Sequence, residues 1–253
     1  MGFLFTKNIK NGITLLIFKN LHKEKRMTYP IRAVAFDIGR VLIDFEHFVF
    51  CQNMVPHCNE LAATQIYQRI FGCIKAVNLW NSYELGYLNT KDFVNSLKYA
   101  LGIKDEKFEA EELLEISTTS FFLNEGILEI LDDLIEKKVP IFMISNICEL
   151  HWSALSRKFP YLIDRFPSQN RILSFKLGIR KPDSALYRIA LQTLQMYTPK
   201  EKSRGIQDIL FIDDLFENVY EFQRLTGQAE QYSCRTHTIE DLKKIIRKYK
   251  IWP

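Results

Sequence analysis

Three short apolar runs, each ending on a polar cluster, constrain this chain more than any other feature. Residues 31–36 run into Asp37-Ile38-Gly39, residues 139–144 into Ser145-Asn146, and residues 208–212 into Asp213-Asp214. Runs this short, partly β-branched and bounded by turn residues, read as buried strands. Helical spacing separates them: Ile127, Leu128, Ile130, Leu131, Leu134 and Ile135 make an apolar face, and helices are expected over 148–158, 182–195, 215–225 and 239–249, with a weaker strand near 229–232. From about 45 to 123 the pattern reads as an all-helical block. In it Asn59 can cap a helix carrying Ala62, Ile66 and Ile70, and Thr90 can cap another carrying Phe93, Val94, Leu97, Ala100 and Leu101. The alternation predicts an α/β fold, a doubly wound parallel sheet with helices on both faces.

The length of 253 residues fits one large α/β domain or a core with a sizeable insert. Lys and Arg outnumber Asp and Glu by 34 to 30, and no basic run outgrows the mixed cluster at 22–26. Nucleic-acid binding therefore has little electrostatic support, and a small substrate fits better. The longest apolar run near the N-terminus, residues 13–18, is far too short to cross a bilayer, and no membrane span is expected. The cysteines form no C-x-x-C pair, which favours a reducing, cytoplasmic compartment over a disulfide framework. Cys51, His57, Cys58 and Cys73 match no common zinc spacing, and packed thiols are the plainer reading. Residues 1–27 read as an N-terminal extension. No cleavage site follows their apolar stretch, Gly2 and Thr6 fit an acylation pattern only formally, and Met27, four residues before the first strand, is a natural start.

In an open parallel sheet the ligand sits at the carboxyl ends of the strands, where loops converge and helix N-termini present free N–H groups. The polar ends of the three strands are therefore expected to share one pocket with Lys181, whose neighbour Pro182 suits a first helical position. Carboxylates of Asp37, Asp213 and Asp214 held together would repel and raise one another's pKa unless a cation neutralised them, and hard oxygen ligands suit Mg²⁺. Ser145 and Lys181 add donors for an anion opposite that metal, the arrangement phosphoryl transfer requires. Asp37 is then the nucleophile, giving an aspartyl-phosphate that water hydrolyses.

Together AVAFDIGRVL, IFMISN, GIRKPDSALYRIAL and ILFIDDLFENV, in that order, resemble the four motifs of the haloacid dehalogenase-like (HAD) hydrolase superfamily over about residues 31–237. The resemblance implies Asp37 as nucleophile, with Lys181, Ser145 and Asn146 at the phosphate. It also implies Mg²⁺ on Asp37, the Gly39 backbone carbonyl and Asp213, with Asp214 behind them. A Rossmann-like core over 28–44 and 124–253 and an inserted helical cap over 45–123 are implied too, as in the branch that includes phosphoglycolate phosphatase-like domains. Residues 84–93 resemble that branch's E-x-G segment. The patterns F-D-[LI]-G-x-V, S-N-x-x-x-x-H, G-x-R-K-P and F-x-D-D are most similar to the bacterial α-D-glucose-1-phosphate phosphatase group, His151 included.

One position departs. Phosphatases of the superfamily usually carry D-x-D, whose second Asp protonates the leaving alcohol, and here that place is Gly39. A general acid contributes roughly 10²–10⁴ in rate, so a leaving group that needs little protonation, such as the anomeric hydroxyl of a sugar 1-phosphate or a phenol, should suffer least. His151, about two helical turns beyond Ser145, is a candidate substitute. In the cap, Phe45, Phe48, Trp80, Tyr83 and Tyr87 are candidates to stack on a substrate ring, or else simply pack helices. The function expected is a Mg²⁺-dependent phosphatase for a small phosphorylated metabolite. The alternatives are a catalytically silent phosphate-binding protein and, against the retained Asp213-Asp214, a metal-independent 2-haloacid dehalogenase.

Overall fold

The computed structural model describes residues 31–72, 79–196, 205–249 and 251. The expectations placed on Gly2, Thr6, Met27 and Cys73 lie outside the described residues. Five strands, β1 (Ala33–Phe36), β4 (Ile141–Ser145), β5 (Arg171–Leu173), β6 (Ile209–Asp213) and β7 (Gln228–Gln231), make one sheet in the order β5-β4-β1-β6-β7. Every pairing in it is parallel.

Side chains alternate across a strand, and here the alternation sorts residues into two cores. Val34, Phe36, Ile141, Met143, Leu210 and Ile212 join one apolar cluster. Their neighbours Ala33, Ala35, Phe142, Ile144, Ile209 and Phe211 join the other. The helix Ile127–Glu136 covers the first face through Ile127, Ile130, Leu131 and Leu134. Helices Ser184–Met196 and Phe216–Arg224 cover the second through Leu186, Tyr187 and Phe222. The doubly wound parallel sheet expected from the sequence is the fold observed. Its strand order reverses at β1, so the crevice lies between β1 and β6.

Other expectations need correction. The block from 45 to 123 is not wholly helical: its ends are the strands β2 (Ile43–Phe45) and β3 (Phe121–Leu123), paired antiparallel. Three residues carry too little periodicity to be read as strands, and these two exist because each supplies the other's ladder partner across a long loop. β5 was likewise too short to be anticipated. Between β2 and β3 lie helices His47–Met54, Ala63–Phe71, Leu79–Glu84, Thr90–Leu101 and Ala110–Thr119. The second is capped at Ala62, not Asn59, with the Gln65 side chain accepting from the Ala62 N–H at 2.9 Å. The fourth is capped by Asn89, whose Oδ1 accepts from Asp92 N–H at 2.9 Å, leaving the Thr90 hydroxyl free to donate to Glu149 Oε2 at 2.6 Å. Pro182 opens no helix. The helix after it starts at Ser184, with Asp183 Oδ1 accepting from Ala185 N–H.

This helical segment is fastened directly over the strand ends. Ser174 Oγ, just past β5, donates to Glu84 O at 2.7 Å, and Tyr83 Oη accepts from Leu150 N–H at 3.0 Å. No helix among the described residues is long and apolar enough to cross a membrane.

Candidate active site

Asp37 is the first residue beyond β1, and its N–H still donates to Ile212 O at 2.9 Å, so the sheet itself fixes its position. Asp37 Oδ1 accepts from Ile38 N–H at 2.7 Å and faces Lys181 Nζ at 2.8 Å. The same ammonium donates to Asp213 Oδ2 at 2.6 Å. The other Asp213 oxygen accepts from Leu215 N–H and from Asn218 Nδ2, both at 2.9 Å. Asp213 is thus wholly enclosed, and both its oxygens are engaged. Asp214 points instead into the open crevice, with Arg40 Nη1 at 3.5 Å from its Oδ2.

Lys181 is set from the neighbouring strand end. Asn146, just past β4, donates through Nδ2 to Lys181 O at 3.0 Å and accepts through Oδ1 from Lys181 N–H at 2.7 Å. An amide placed to read both backbone groups of one residue holds that residue's stem, so the Asn146 side chain is occupied by Lys181. Ser145, the last residue of β4, lines the same crevice as Asp37, Gly39 and Lys181. The residues the sequence nominated from three strand ends therefore do meet.

The charges here are imperfectly balanced. Burial pushes the Asp37 carboxyl up to about 7, with Lys181 opposing the rise and Asp213 adding to it. Burial and then Asp213 also raise Asp214, against the pull of Arg40. Burial works to lower Lys181, but Asp213 and Asp37 outweigh it and hold the ammonium above its ordinary range. Asp37, Asp213 and Asp214 each bring one ligand oxygen within 4.8 Å of the others, and they are the group of this kind among the described residues. Three hard oxygen donors with uncompensated charge fit a divalent cation such as Mg²⁺. Cys51, His57 and Cys58 assemble no such group, and Cys51 and Cys58 are buried free thiols whose pKa burial raises.

Above this floor the crevice widens into a cavity of about 280 Å³ roofed by the helical segment. Its walls carry Ile43, Phe45, Trp80, Phe121, His151 and Leu155. Of the five aromatic candidates, Phe45 and Trp80 reach the cavity. Phe48 and Tyr87 face solvent, and Tyr83 is buried, stacked on Phe93. His151 also lines the cavity, but its ring lies among Phe45, Trp80 and Phe121, with centroids 4.8, 4.8 and 5.1 Å away. Burial drives its pKa down to about 3, so near neutrality it is an uncharged ring. A neutral imidazole is a very weak acid, and these surroundings speak against the proton donation suggested for it.

Sequence reasoning passed over Glu84 and Arg180 as individual residues, although both stand inside quoted segments. Glu84 Oε2 accepts from Arg180 Nη2 at 2.8 Å, joining the helical segment to the loop that carries Lys181. Burial raises Glu84, against Arg180 and Lys181. A charge in a segment that otherwise packs helices was the available signal. Gly39 is equally informative, because a Cβ built there meets nothing within 4 Å.

No family model matches the chain. The drimenol cyclase of Aspergillus calidoustus is 27% identical over 197 residues, which are 75% of this chain and 31% of that protein. The chain thus spans about a third of that relative's length. The sesquiterpene phosphatase of Aspergillus oryzae is 22% identical over 220 residues, covering 87% of this chain and 99% of that protein. Among solved structures, a HAD family enzyme of Bacteroides thetaiotaomicron superposes with a TM-score of 0.69 at 17% identity, over 85% of this chain and 99% of that one. The same enzyme in complex with magnesium and inorganic phosphate gives 0.67 at 18% identity, over 84% and 98%. An L-2-haloacid dehalogenase of Xanthobacter autotrophicus gives 0.54 at 17%, over 88% and 85%. The fold is that of the HAD hydrolases.

Proposed function

We propose that this protein is a Mg²⁺-dependent phosphatase of the HAD type that hydrolyses a small phosphomonoester through Asp37. The observation that carries the reading is the convergence of Asp37, Lys181, Ser145 and Asp214 on one crevice at the strand ends. The magnesium and phosphate held by the Bacteroides enzyme, and the phosphatase named among the fungal relatives, support it.

Asp37 Oδ attacks phosphorus. The new O–P bond forms as the ester P–O bond breaks, and the alcohol leaves with the electron pair and takes up a proton from water. Water then attacks the aspartyl-phosphate, releasing inorganic phosphate and restoring Asp37. Lys181 neutralises charge on the phosphoryl oxygens and opposes the burial that favours protonated Asp37, Ser145 donates to a phosphoryl oxygen, and Asn146 holds Lys181 in place. Bound Mg²⁺ would supply further neutralisation of the phosphoryl charge. Asp37, the Gly39 carbonyl and Asp214 are the groups we assign to it. The family resemblance implies the metal on Asp213 and the outer position for Asp214, but Asp213's engagement with Lys181, Leu215 and Asn218 favours the reverse.

The helical segment over 45–123 serves as the cap, excluding water from the crevice. With Gly39 in place of the usual acid, esters of a good leaving group are the natural substrates; an aryl phosphate qualifies, and so does a sugar 1-phosphate, the substrate of the glucose-1-phosphate phosphatase group that the motifs resemble. Free thiols at Cys51, Cys58, Cys148 and Cys234 support a reducing, cytoplasmic setting.

Phosphate release from p-nitrophenyl phosphate, sugar 1-phosphates and sugar 6-phosphates, with and without Mg²⁺, tests the proposal. Metal-dependent release that disappears in Asp37→Asn is the expected result. Mg²⁺ and phosphate binding with no turnover of any ester would make the silent binding protein the correct reading instead.

A further inference from the structure

We infer that the organic part of the ligand is the residue of an apolar alcohol, so that the crevice binds an alkyl, aryl or isoprenoid monophosphate more tightly than a sugar phosphate, a preference in binding that is separate from how readily each alcohol leaves. The inference rests on the phosphate site proposed above and concerns what lies beyond it.

The cavity has two unlike ends. A phosphate seated on Asp37, Ser145 and Lys181 would project its ester substituent away from the strand ends, toward the roof formed by the helical segment. There the substituent meets Ile43, Phe45, Phe121 and Leu155, the indole of Trp80 and the ring of His151. Phe45, Trp80 and Phe121 all pack on His151, so these rings form one continuous aromatic surface drawn from β2, β3 and two separate helices.

Most of the polar side chains near that surface already have a partner. Trp80 is hydrogen-bonded to Glu84, and Glu84 is ion-paired with Arg180 at 2.8 Å. Arg40 faces Asp214, and the Asn146 amide is taken up by the Lys181 backbone. His151 Nε2 and Arg180 Nε have no partner, yet both atoms are covered by protein and present nothing to a ligand. Half-buried His47, edge-on to Phe45 and Phe71, can offer a single hydrogen bond.

A hexose brings several hydroxyl groups, each of which loses its water on entering. A site built for it would need a matching set of donors and acceptors, since unpaired polar groups weaken binding steeply. An apolar substituent loses nothing on entry and gains the burial of its surface. The wall favours the second ligand on both counts.

The test is a ladder of non-hydrolysable phosphonates, methyl, butyl and octyl, titrated calorimetrically into the intact protein with Mg²⁺, beside glucose 1-methylenephosphonate. Each methylene buried should tighten binding about fourfold until the cavity is full. The octyl compound is expected to bind at least about a hundredfold tighter than the methyl one, with the sugar phosphonate no tighter than methyl. A flat ladder, or a sugar phosphonate that outbinds the octyl compound, would overturn the inference, as would failure of every phosphonate to bind. Turnover of p-nitrophenyl phosphate, measured alongside, separates this inference from the phosphatase reading. A steep ladder without turnover removes the phosphatase and leaves the apolar site standing, and turnover with a flat ladder does the opposite.

Discussion

The floor and the wall of the crevice are built on opposite principles. On the floor, the Asp37 and Asp213 carboxyls and the Lys181 ammonium are taken out of water together, at contacts of 2.8 and 2.6 Å, and the two carboxyls hold the ammonium above its ordinary range. On the wall, His151 is a titratable group taken out of water with no counter-charge, and burial strips it of its proton instead. A buried ionisable group stays charged only where a partner offsets its lost hydration. That difference separates the chemistry at the strand ends from recognition under the helical segment.

The comparison is tested most severely at Asp37. Asp37→Asn removes the attacking oxygen while leaving the wall untouched, so phosphate release should fall by at least about 10⁴-fold. Octylphosphonate should still bind the variant measurably tighter than methylphosphonate. Equal loss of turnover and of that chain-length preference would mean that floor and wall are not separate.

The two aspartates that end β6 offer the next test. Asp213→Asn takes one carboxylate from a sealed network and leaves Lys181 underpaired, for which a loss of about 3 kcal/mol of stability is expected. Asp214→Asn, at the open side of the crevice, should leave urea unfolding nearly unchanged and weaken Mg²⁺ binding. Urea melts of both variants, with Mg²⁺ titrations, check this assignment, and the opposite pattern would restore the metal to Asp213.

Gly39 offers a gain in place of a loss. Its Cβ direction is empty, so the Cβ of Gly39→Asp displaces no neighbour and the substitution brings a carboxyl to the edge of the crevice. If the weak point of the floor is the missing proton donor, turnover of an alkyl phosphate should rise about 10²-fold, with much less change for p-nitrophenyl phosphate, whose phenolate leaves unaided. Equal change for both esters would show that protonation of the leaving group is not what limits this floor.

The floor could be read from the sequence and the wall only in part, for a physical reason. Asp37, Ser145 and Asp213 each end a hydrophobic strand, so one-dimensional patterning locates them and parallel-sheet topology brings them together. Phe45, Trp80 and His151 stand among the candidates that the sequence offers, but nothing local marks Phe121. Phe121 reaches the cavity because β3 pairs with β2, a contact between segments 76 residues apart, from Phe45 to Phe121. His151 lies on a helix whose spacing shows that one face is buried, but not that aromatic rings are what bury it. Asn146 was placed in the pocket correctly, but its role could not be seen: an amide that reads the backbone of Lys181, 35 positions away, leaves no trace in spacing. Asn59 and Thr90 failed as caps for the opposite reason, since neighbouring residues, Gln65 and Asn89, supplied the same local hydrogen bond.

The smallest of these effects isolates the wall. His151 has a folded pKa of about 3, well below the usual value of 6.5, so the unfolded chain binds the extra proton first as the pH falls. Stability tied to this residue is therefore complete above about pH 7 and is lost progressively between 6.5 and 3, with about 2 kcal/mol gone by pH 5. Asp37 works in the other direction: its raised pKa means that the folded state takes up a proton before the unfolded state does, which stabilises the protein as the pH falls from about 7 toward 4. Acid melts of the wild type alone would mix the two signs. His151→Phe keeps a ring of similar size in the aromatic cluster and removes the first contribution only, so the stability of the variant minus that of the wild type should rise by about 2 kcal/mol from pH 7 to pH 5. Denaturant melts at the two pH values measure that gap. A gap that stayed constant would mean that His151 keeps its proton when folded, and the wall would then be polar enough to hold the charge that its aromatic lining is argued to exclude.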